Sequence, residues 1–276
     1  IKYGKMKFTI SESKYMKKQA SLSCHKKTMI NKIHNENCLQ TMDKMPDNFI
    51  DCTITSPPYD NLKDYNGYDF NFSKIAQELY RVTKDNGILV WIVGDATIAG
   101  DETGSSFKQA LHFKELGFSL HDTMIYEKNS SSFPARKESN RYTQIFEYMF
   151  VFGKGGVSSN LICDKKNKWA GHKDFSGKLK NPVPEYSPRT NIWKYSTSFN
   201  DKTGHPAVFP EQLAEDHILT WTNEKDLVYD CFMGSGTTAK MCILNNRNYI
   251  GSEISKEYCD VSNERLSNLS IQGKLF

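Results

Sequence analysis

An α/β sandwich built on a largely parallel sheet is the fold class this 276-residue sequence predicts, and three observations predict it. Short apolar runs alternate with segments whose apolar residues recur at helical spacing. One run, "ILVWIVGD" at 88–95, is apolar almost throughout, as a strand buried on both faces must be. Two such runs end in turns of unusual chemistry, "TSPPY" at 55–59 and "MGSGTT" at 233–238.

The elements follow in order. After a lysine-rich arm, "MINKIHNENCLQTMDKMP" (29–46) starts as a short strand and becomes a short helix. "FIDCTIT" (49–55) is a strand, ended by Pro57-Pro58 because neither proline can donate a ladder hydrogen bond. In "FSKIAQELYRVTKDNG" Ile75, Leu79 and Val82 share a helical face, and Asn86-Gly87 is expected to stop the helix. The strand at 88–95, with Trp91 in the core, leads to the helix "SFKQALHFKELGF" and the strands "DTMIYEK" and "IFEYMFVF". From Gly153 to about Gly204 the pattern dissolves into glycines, prolines, lysines and aromatics, which predicts a small inserted module. Regular structure resumes with the helix "PEQLAEDHILTWT", the strand "DLVYDCF", the glycine turn, the helix "TTAKMCILNN", the strand "NYIGSEI" and a final helix over about 255–268.

Composition limits the function classes. With 38% hydrophobic and 25% charged residues, wholesale disorder is excluded. A net charge of +4 names no partner, but its distribution is uneven. Residues 1–28 hold eight lysines against one acid, Glu12, and a second basic stretch runs from Lys154 to Lys202. Both suit phosphates, and both suit a plain solvated face. Seven cysteines without a CxxC pair or metal-ligand spacing argue for a reducing, intracellular setting and no metal. No signal peptide and no membrane-length apolar run is visible.

Gly234 and Gly236 stand between a strand and a helix, where backbone can approach a ligand and helix amides can face it. The spacing through Ala239 fits GxGxxG/A, and Glu253 ends the next strand, placed to hold ribose hydroxyls. The turn therefore reads as a nucleoside-cofactor site, with NAD and S-adenosylmethionine both open.

The proline turn reads as chemistry on an exocyclic amine. Such a nitrogen attacks poorly because its lone pair is delocalised into the base. Acceptors for its two N–H protons push it towards tetrahedral and free the lone pair. Ser56 Oγ and the Pro57 carbonyl are suitable acceptors, and the flanking prolines fix that carbonyl's direction. Tyr59 offers a face on which a flipped base can stack. No Pro-Cys dipeptide occurs, in keeping with a transfer that needs no covalent adduct.

These segments, in this order, resemble the amino-directed DNA methyltransferases of the β arrangement, in which the catalytic segment precedes the cofactor segment. The likeness covers most of residues 29–270. It implies a Rossmann-like class I methyltransferase fold with a seven-stranded, mostly parallel sheet, S-adenosylmethionine as cofactor and double-stranded DNA as substrate. Ser56, Pro57, Pro58 and Tyr59 match the catalytic tetrapeptide; Asp230, Phe232, Gly234, Gly236 and Thr237 match the cofactor turn; Glu253 matches the ribose acid. Asn37 and Cys38 fall where the family approaches the adenine, and His205, Pro206 and Phe209 near the methionine end.

The implied division is a basic arm (1–28), a catalytic half (29–152), a target-recognition region (153–204) and a cofactor half (205–276). Lys173, Lys178, Lys180, Arg189 and Trp193 of the recognition region are expected at the DNA. Arg136 and Arg141 suit either phosphates or surface salt bridges. Asp95 suits either the ligand crevice or a helix cap. Ser56 stands where adenine-modifying members typically carry Asp, which favours cytosine N4 over adenine N6. Cys231 stands where the family commonly has proline. A partner restriction endonuclease and a homodimer are the further partners the resemblance raises.

Overall fold

Continuous burial along the central strands, on both faces, settles the architecture. The computed structural model describes residues 28–58, 70–129, 140–173, 181–196 and 210–272. Tyr59, Arg136, Lys178, Lys180, His205, Pro206, Phe209 and the arm up to residue 27 lie outside the described residues. The first half runs β1 (Lys32–His34), α1 (Cys38–Asp43), β2 (Ile50–Thr55), α2 (Phe72–Val82), β3 (Thr83–Val93), β4 (Thr97–Ile98), β5 (Asp101–Glu102), α3 (Ser105–Glu115), β6 (Ser119–Lys128) and β7 (Phe146–Gly153). The second half runs β8 (Lys165–Lys166), β9 (Tyr186–Ser187), β10 (Ile192–Tyr195), α4 (Glu211–Trp221), β11 (Leu227–Asp230), α5 (Thr237–Leu244), β12 (Asn248–Ser252) and α6 (Lys256–Gln272).

The main sheet has the order β1-β12-β11-β2-β3-β7-β6-β10. Pairing is parallel except where β7 lies antiparallel between β3 and β6. The sheet has eight strands where seven were expected. The additional one, β10, comes from the stretch read as an inserted module and pairs parallel with β6, Trp193 beside Tyr126. Short apolar segments inside a loop-like composition are easily read as loop, and only pairing reveals them as strand.

Each face of the sheet takes helices from one half of the chain. Leu89, Trp91, Phe150, Phe152, Tyr229 and Ile250 pack with Met42, Ile75, Leu79 and Phe113 of α1–α3. Val90, Ile92, Met149, Val151, Val228 and Tyr249 pack with Leu213, Ile218, Ala239, Cys242 and Leu266 of α4–α6. Trp91 is fully buried and its Nε1 donates to Gln109 Oε1 at 2.8 Å, confirming its place in the core.

One boundary differs from the sequence expectation. Helix α2 ends at Val82, not at Asn86-Gly87, and Thr83 already pairs with Ile50 of β2. The Asn-Gly pair, with Asn86 at φ +64°, instead sits inside β3, where the register with β2 shifts. Glycine is required here too, since a Cβ on Gly87 would meet the Lys84 carbonyl at 2.8 Å.

Strands β2 and β11 are neighbours, yet the chain leaves β2 towards β3 on one side and β11 towards β12 on the other. That reversal opens a crevice at the carboxyl ends of the two strands, the usual ligand position in open α/β sheets.

Candidate active site

Both unusual turns leave the sheet at this crevice. Thr55, the last residue of β2, donates from Oγ1 to Asp230 Oδ1 at 2.7 Å. Asp230, the last residue of β11, also accepts from Thr238 Oγ1 on Oδ2 at 2.7 Å and from the Phe232 amide on Oδ1 at 3.1 Å. All three donors are neutral. Burial therefore pushes the Asp230 carboxyl above its ordinary value, while the hydrogen bonds from Thr238, Thr55 and Phe232 pull the other way. Cys231, where the resemblance leads one to expect proline, sits with Sγ 3.4 Å from Thr55 Oγ1. Thus the residue before Ser56 is wired directly to the glycine turn.

In the glycine turn, Gly234 and Gly236 both have positive φ, +53° and +82°, the region in which a side chain is strained. Glu253, just past β12, accepts the Gly234 amide on Oε2 at 2.8 Å and the Ser255 amide on Oε1 at 2.8 Å. Its own amide donates to the His34 carbonyl at 3.0 Å, so the end of β1 holds it in place. Burial raises the Glu253 carboxyl, opposed by those backbone amides. Each carboxylate oxygen thus spends one lone pair on an amide and keeps capacity for a neutral hydroxyl donor. This donor set, beside the N-terminus of α5, fits a nucleoside cofactor.

The remaining expected residues are placed as follows. Asn37 is the N-cap of α1, accepting the Leu39 amide at 2.9 Å, and Cys38 behind it is buried in the core. Phe232 packs its ring 5.9 Å from Phe70 and 6.4 Å from Trp91. Thr237 is buried as the first residue of α5. Asp95 resolves as a cap: it accepts the Ser106 amide at 2.9 Å and the Ser106 hydroxyl at 2.5 Å at the start of α3.

Two residues expected at the DNA are instead engaged within the fold. Arg189 donates to Asp164 Oδ2 from Nε and Nη2 at 2.8 and 2.6 Å, and to Asp216 Oδ2 at 2.6 Å. Its guanidinium lies 5.3 Å from the Trp193 ring. Trp193 is only 5% exposed, with its ring 4.8 Å from that of His217. Trp193 has no free face, and the Arg189 guanidinium, in a side chain 26% exposed, is spent on two carboxylates. Lys173 is exposed, and Arg141 pairs with Glu102 at 3.5 Å.

Sequence reading missed Thr55, Asn35, whose Nδ2 donates to the Glu253 carbonyl at 2.9 Å, and two residues of α6, Ser262 and Arg265. For Thr55 a signal existed: polar Thr53 and Thr55 alternate with apolar Cys52 and Ile54 in a strand buried on both faces.

Sheet order and crevice together are those of a class I methyltransferase. Residues 50–264 match the DNA methylase family of N6/N4 methyltransferases. The chain belongs to that family, in the β arrangement with its proline turn ahead of its glycine turn. The orphan methyltransferase M.BamHII of Bacillus amyloliquefaciens is 59% identical over 245 residues, which cover 82% of this chain and 91% of that one. The cytosine-N4-specific PvuII DNA methyltransferase shares the fold with a TM-score of 0.67 and 23% identity, over 84% of this chain and 85% of its own. M1.HpyAVI, solved with S-adenosylmethionine, gives 0.58 and 26% identity over 85% and 98% of the two chains. Family membership overturns the NAD alternative that the glycine spacing left open.

Proposed function

We propose that this chain transfers a methyl group from S-adenosylmethionine to the exocyclic amine of a base turned out of double-stranded DNA, at cytosine N4. The observation that carries this reading is the Thr55–Asp230 hydrogen bond of 2.7 Å, which holds the amine-accepting turn against the cofactor turn.

S-adenosylmethionine, when bound, supplies the electrophilic methyl. Residues of this chain do the rest. Glu253 takes the ribose hydroxyls, and Asn37, Cys38, Asp230, Phe232, Gly234, Gly236 and Thr237 form or support the walls around the nucleoside. His205, Pro206 and Phe209 close the methionine end. Ser56 Oγ and the Pro57 carbonyl accept the two amine protons and aim the nitrogen lone pair at the methyl. Tyr59 stacks on the flipped base. The proton released from the methylated amine passes to water.

Cytosine is favoured because Ser56 is a neutral hydroxyl where adenine-modifying relatives carry a carboxylate, and because PvuII methyltransferase, which shares the fold, is cytosine-N4-specific. Residues 153–204 act as the target-recognition region, with Lys173, Lys178 and Lys180 on phosphates and the arm 1–28 adding non-specific attraction. M.BamHII is named an orphan, which favours action inside the cell without a dedicated endonuclease.

The test is incubation with unmethylated DNA and S-adenosylmethionine, digestion to nucleosides and mass spectrometry. N4-methylcytosine is the expected product. N6-methyladenine would keep the mechanism and overturn the base. No methylated nucleoside on DNA of high sequence complexity would overturn the substrate.

A further inference from the structure

We propose that Arg265 is a positioning residue for the cofactor turn, fixing its reverse side and joining it to the start of α4. The proposal rests on the assignment of Gly234–Thr237 to the cofactor.

Helix α6 runs behind the turn and captures two successive carbonyls. Ser262 Oγ donates to the Gly234 carbonyl at 2.6 Å, and Arg265 Nη1 donates to the Ser235 carbonyl at 3.0 Å. The same Nη1 lies 3.3 Å from Ser235 Oγ and 3.2 Å from Thr237 Oγ1. Ser262 and Arg265 are three residues apart and so share one helix face. In a trans peptide the N–H points opposite to the C=O. Drawing the Gly234 carbonyl to α6 therefore turns the Ser235 amide away from it.

Gly236 belongs to the same contact. A Cβ there would stand 3.1 Å from Ser262 Cβ, and its φ of +82° already disfavours a side chain. The second glycine of the fingerprint is thus required by the helix behind it as well as by any ligand in front.

The other arm of the guanidinium leaves the turn. Arg265 Nη2 donates to Glu211 Oε1, which Lys240 Nζ also reaches at 2.5 Å. Glu211 is the first residue of α4 and follows Phe209, at the expected methionine end, by two positions. The Arg265 side chain is only 16% exposed, and burial with these partners leaves its planar fork few alternatives. One guanidinium thereby ties together two segments that must agree for one cofactor to fit. Lysine keeps the charge but cannot span both partners with one fork.

Calorimetric titration of the full chain with S-adenosylmethionine, with steady-state kinetics, tests this. Arg265→Lys is expected to raise Kd and KM for S-adenosylmethionine about tenfold, equivalent to about 1.4 kcal/mol. KM for DNA and kcat at saturating cofactor should stay within about twofold. A purely structural arginine would lower the melting temperature without this split. Glu211→Gln keeps an acceptor but removes the charge that holds the second arm, and should raise Kd about threefold; it decides the matter if Arg265→Lys does not fold. Wild-type cofactor affinity in the folded variants would overturn the positioning role. Gly234→Val separates the two levels. If it too binds cofactor normally, the assignment of the turn falls; if it alone loses binding, only the role of Arg265 falls.

Discussion

Thr55 and Asp230 share a 2.7 Å hydrogen bond across 175 residues of sequence, and both are buried. It joins the last residues of two neighbouring parallel strands, and each strand continues directly into the proline turn or the glycine turn. A displacement of either turn therefore has to break a bond in the core.

Thr55→Val keeps the shape and removes the donor. Asp230 then loses one of its three hydrogen bonds in a site where burial already opposes its charge. The expected cost is about 1–3 kcal/mol in urea unfolding, with slower methylation from the loosened turn. Wild-type stability would mean that another donor replaces the threonine.

On the proposed mechanism, Ser56→Ala removes one of the two acceptors for the amine. Turnover should fall about 100-fold in single-turnover assays, with cofactor affinity by calorimetry unchanged. Full activity would assign the proton-accepting role elsewhere.

Arg189→Ala should act on stability. Asp216, whose side chain is 6% exposed, would lose its cation while still accepting from Tyr195 and Gln212. We expect about 2–4 kcal/mol of destabilisation by thermal or urea melting. Lys173→Ala, by contrast, should leave the melting temperature alone and flatten the salt dependence of DNA binding by about one counterion. A melting temperature unchanged by Arg189→Ala would return that residue to the DNA surface.

His217 gives a pH dependence of known sign. It is fully buried; its Nδ1 accepts from Trp221 Nε1 at 3.1 Å, which leaves the ring proton on Nε2, 3.2 Å from Met149 Sδ. Burial lowers its pKa from 6.5 to about 3, against the charge of Asp216. As the pH falls through this window, the unfolded chain takes up a proton that the folded chain refuses. Stability should then drop by up to about 1.4 kcal/mol per pH unit. His217→Gln, which keeps an acceptor, should flatten that slope in unfolding measured between pH 6 and pH 4. An unchanged slope would mean that other groups carry the acid sensitivity.

The fold was legible wherever periodicity and turn chemistry agreed. The strand at 88–95, the helix from Phe72 and the proline and glycine turns all follow from local pattern. Helix α2 reads too long because Asn86-Gly87 is the first strong stop signal in its sequence, and only the pairing of Thr83 with Ile50 of β2 shows that the helix has already ended. β10 was hidden for the same reason. Arg189 and Trp193 read as DNA contacts because basic and aromatic residues in an irregular stretch suit phosphate and base alike. Their partners Asp164, Asp216 and His217 are brought near only by the sheet. Arg265 was illegible: nothing in a mixed polar helix announces which cation faces a loop 30 residues earlier.

The edge strand β10 bears on how the stretch before it can be altered. The stretch between Gly153 and Asn191 is anchored at both ends in the sheet, through β7 and β10. Backbone pairing fixes its two ends, and Asn160 and Arg189 tie it further to the Thr222 carbonyl and to Asp216 of α4. Lengthening a connection costs little, about 0.6 kcal/mol for each doubling, so pieces of this interval that leave Asn160, Asp164 and Arg189 in place can be exchanged with little strain on the sheet. On the proposed reading of this interval as the target-recognition region it is, in evolutionary terms, a cassette, and a graft that keeps those anchors would give the chain a new address while leaving its chemistry in place.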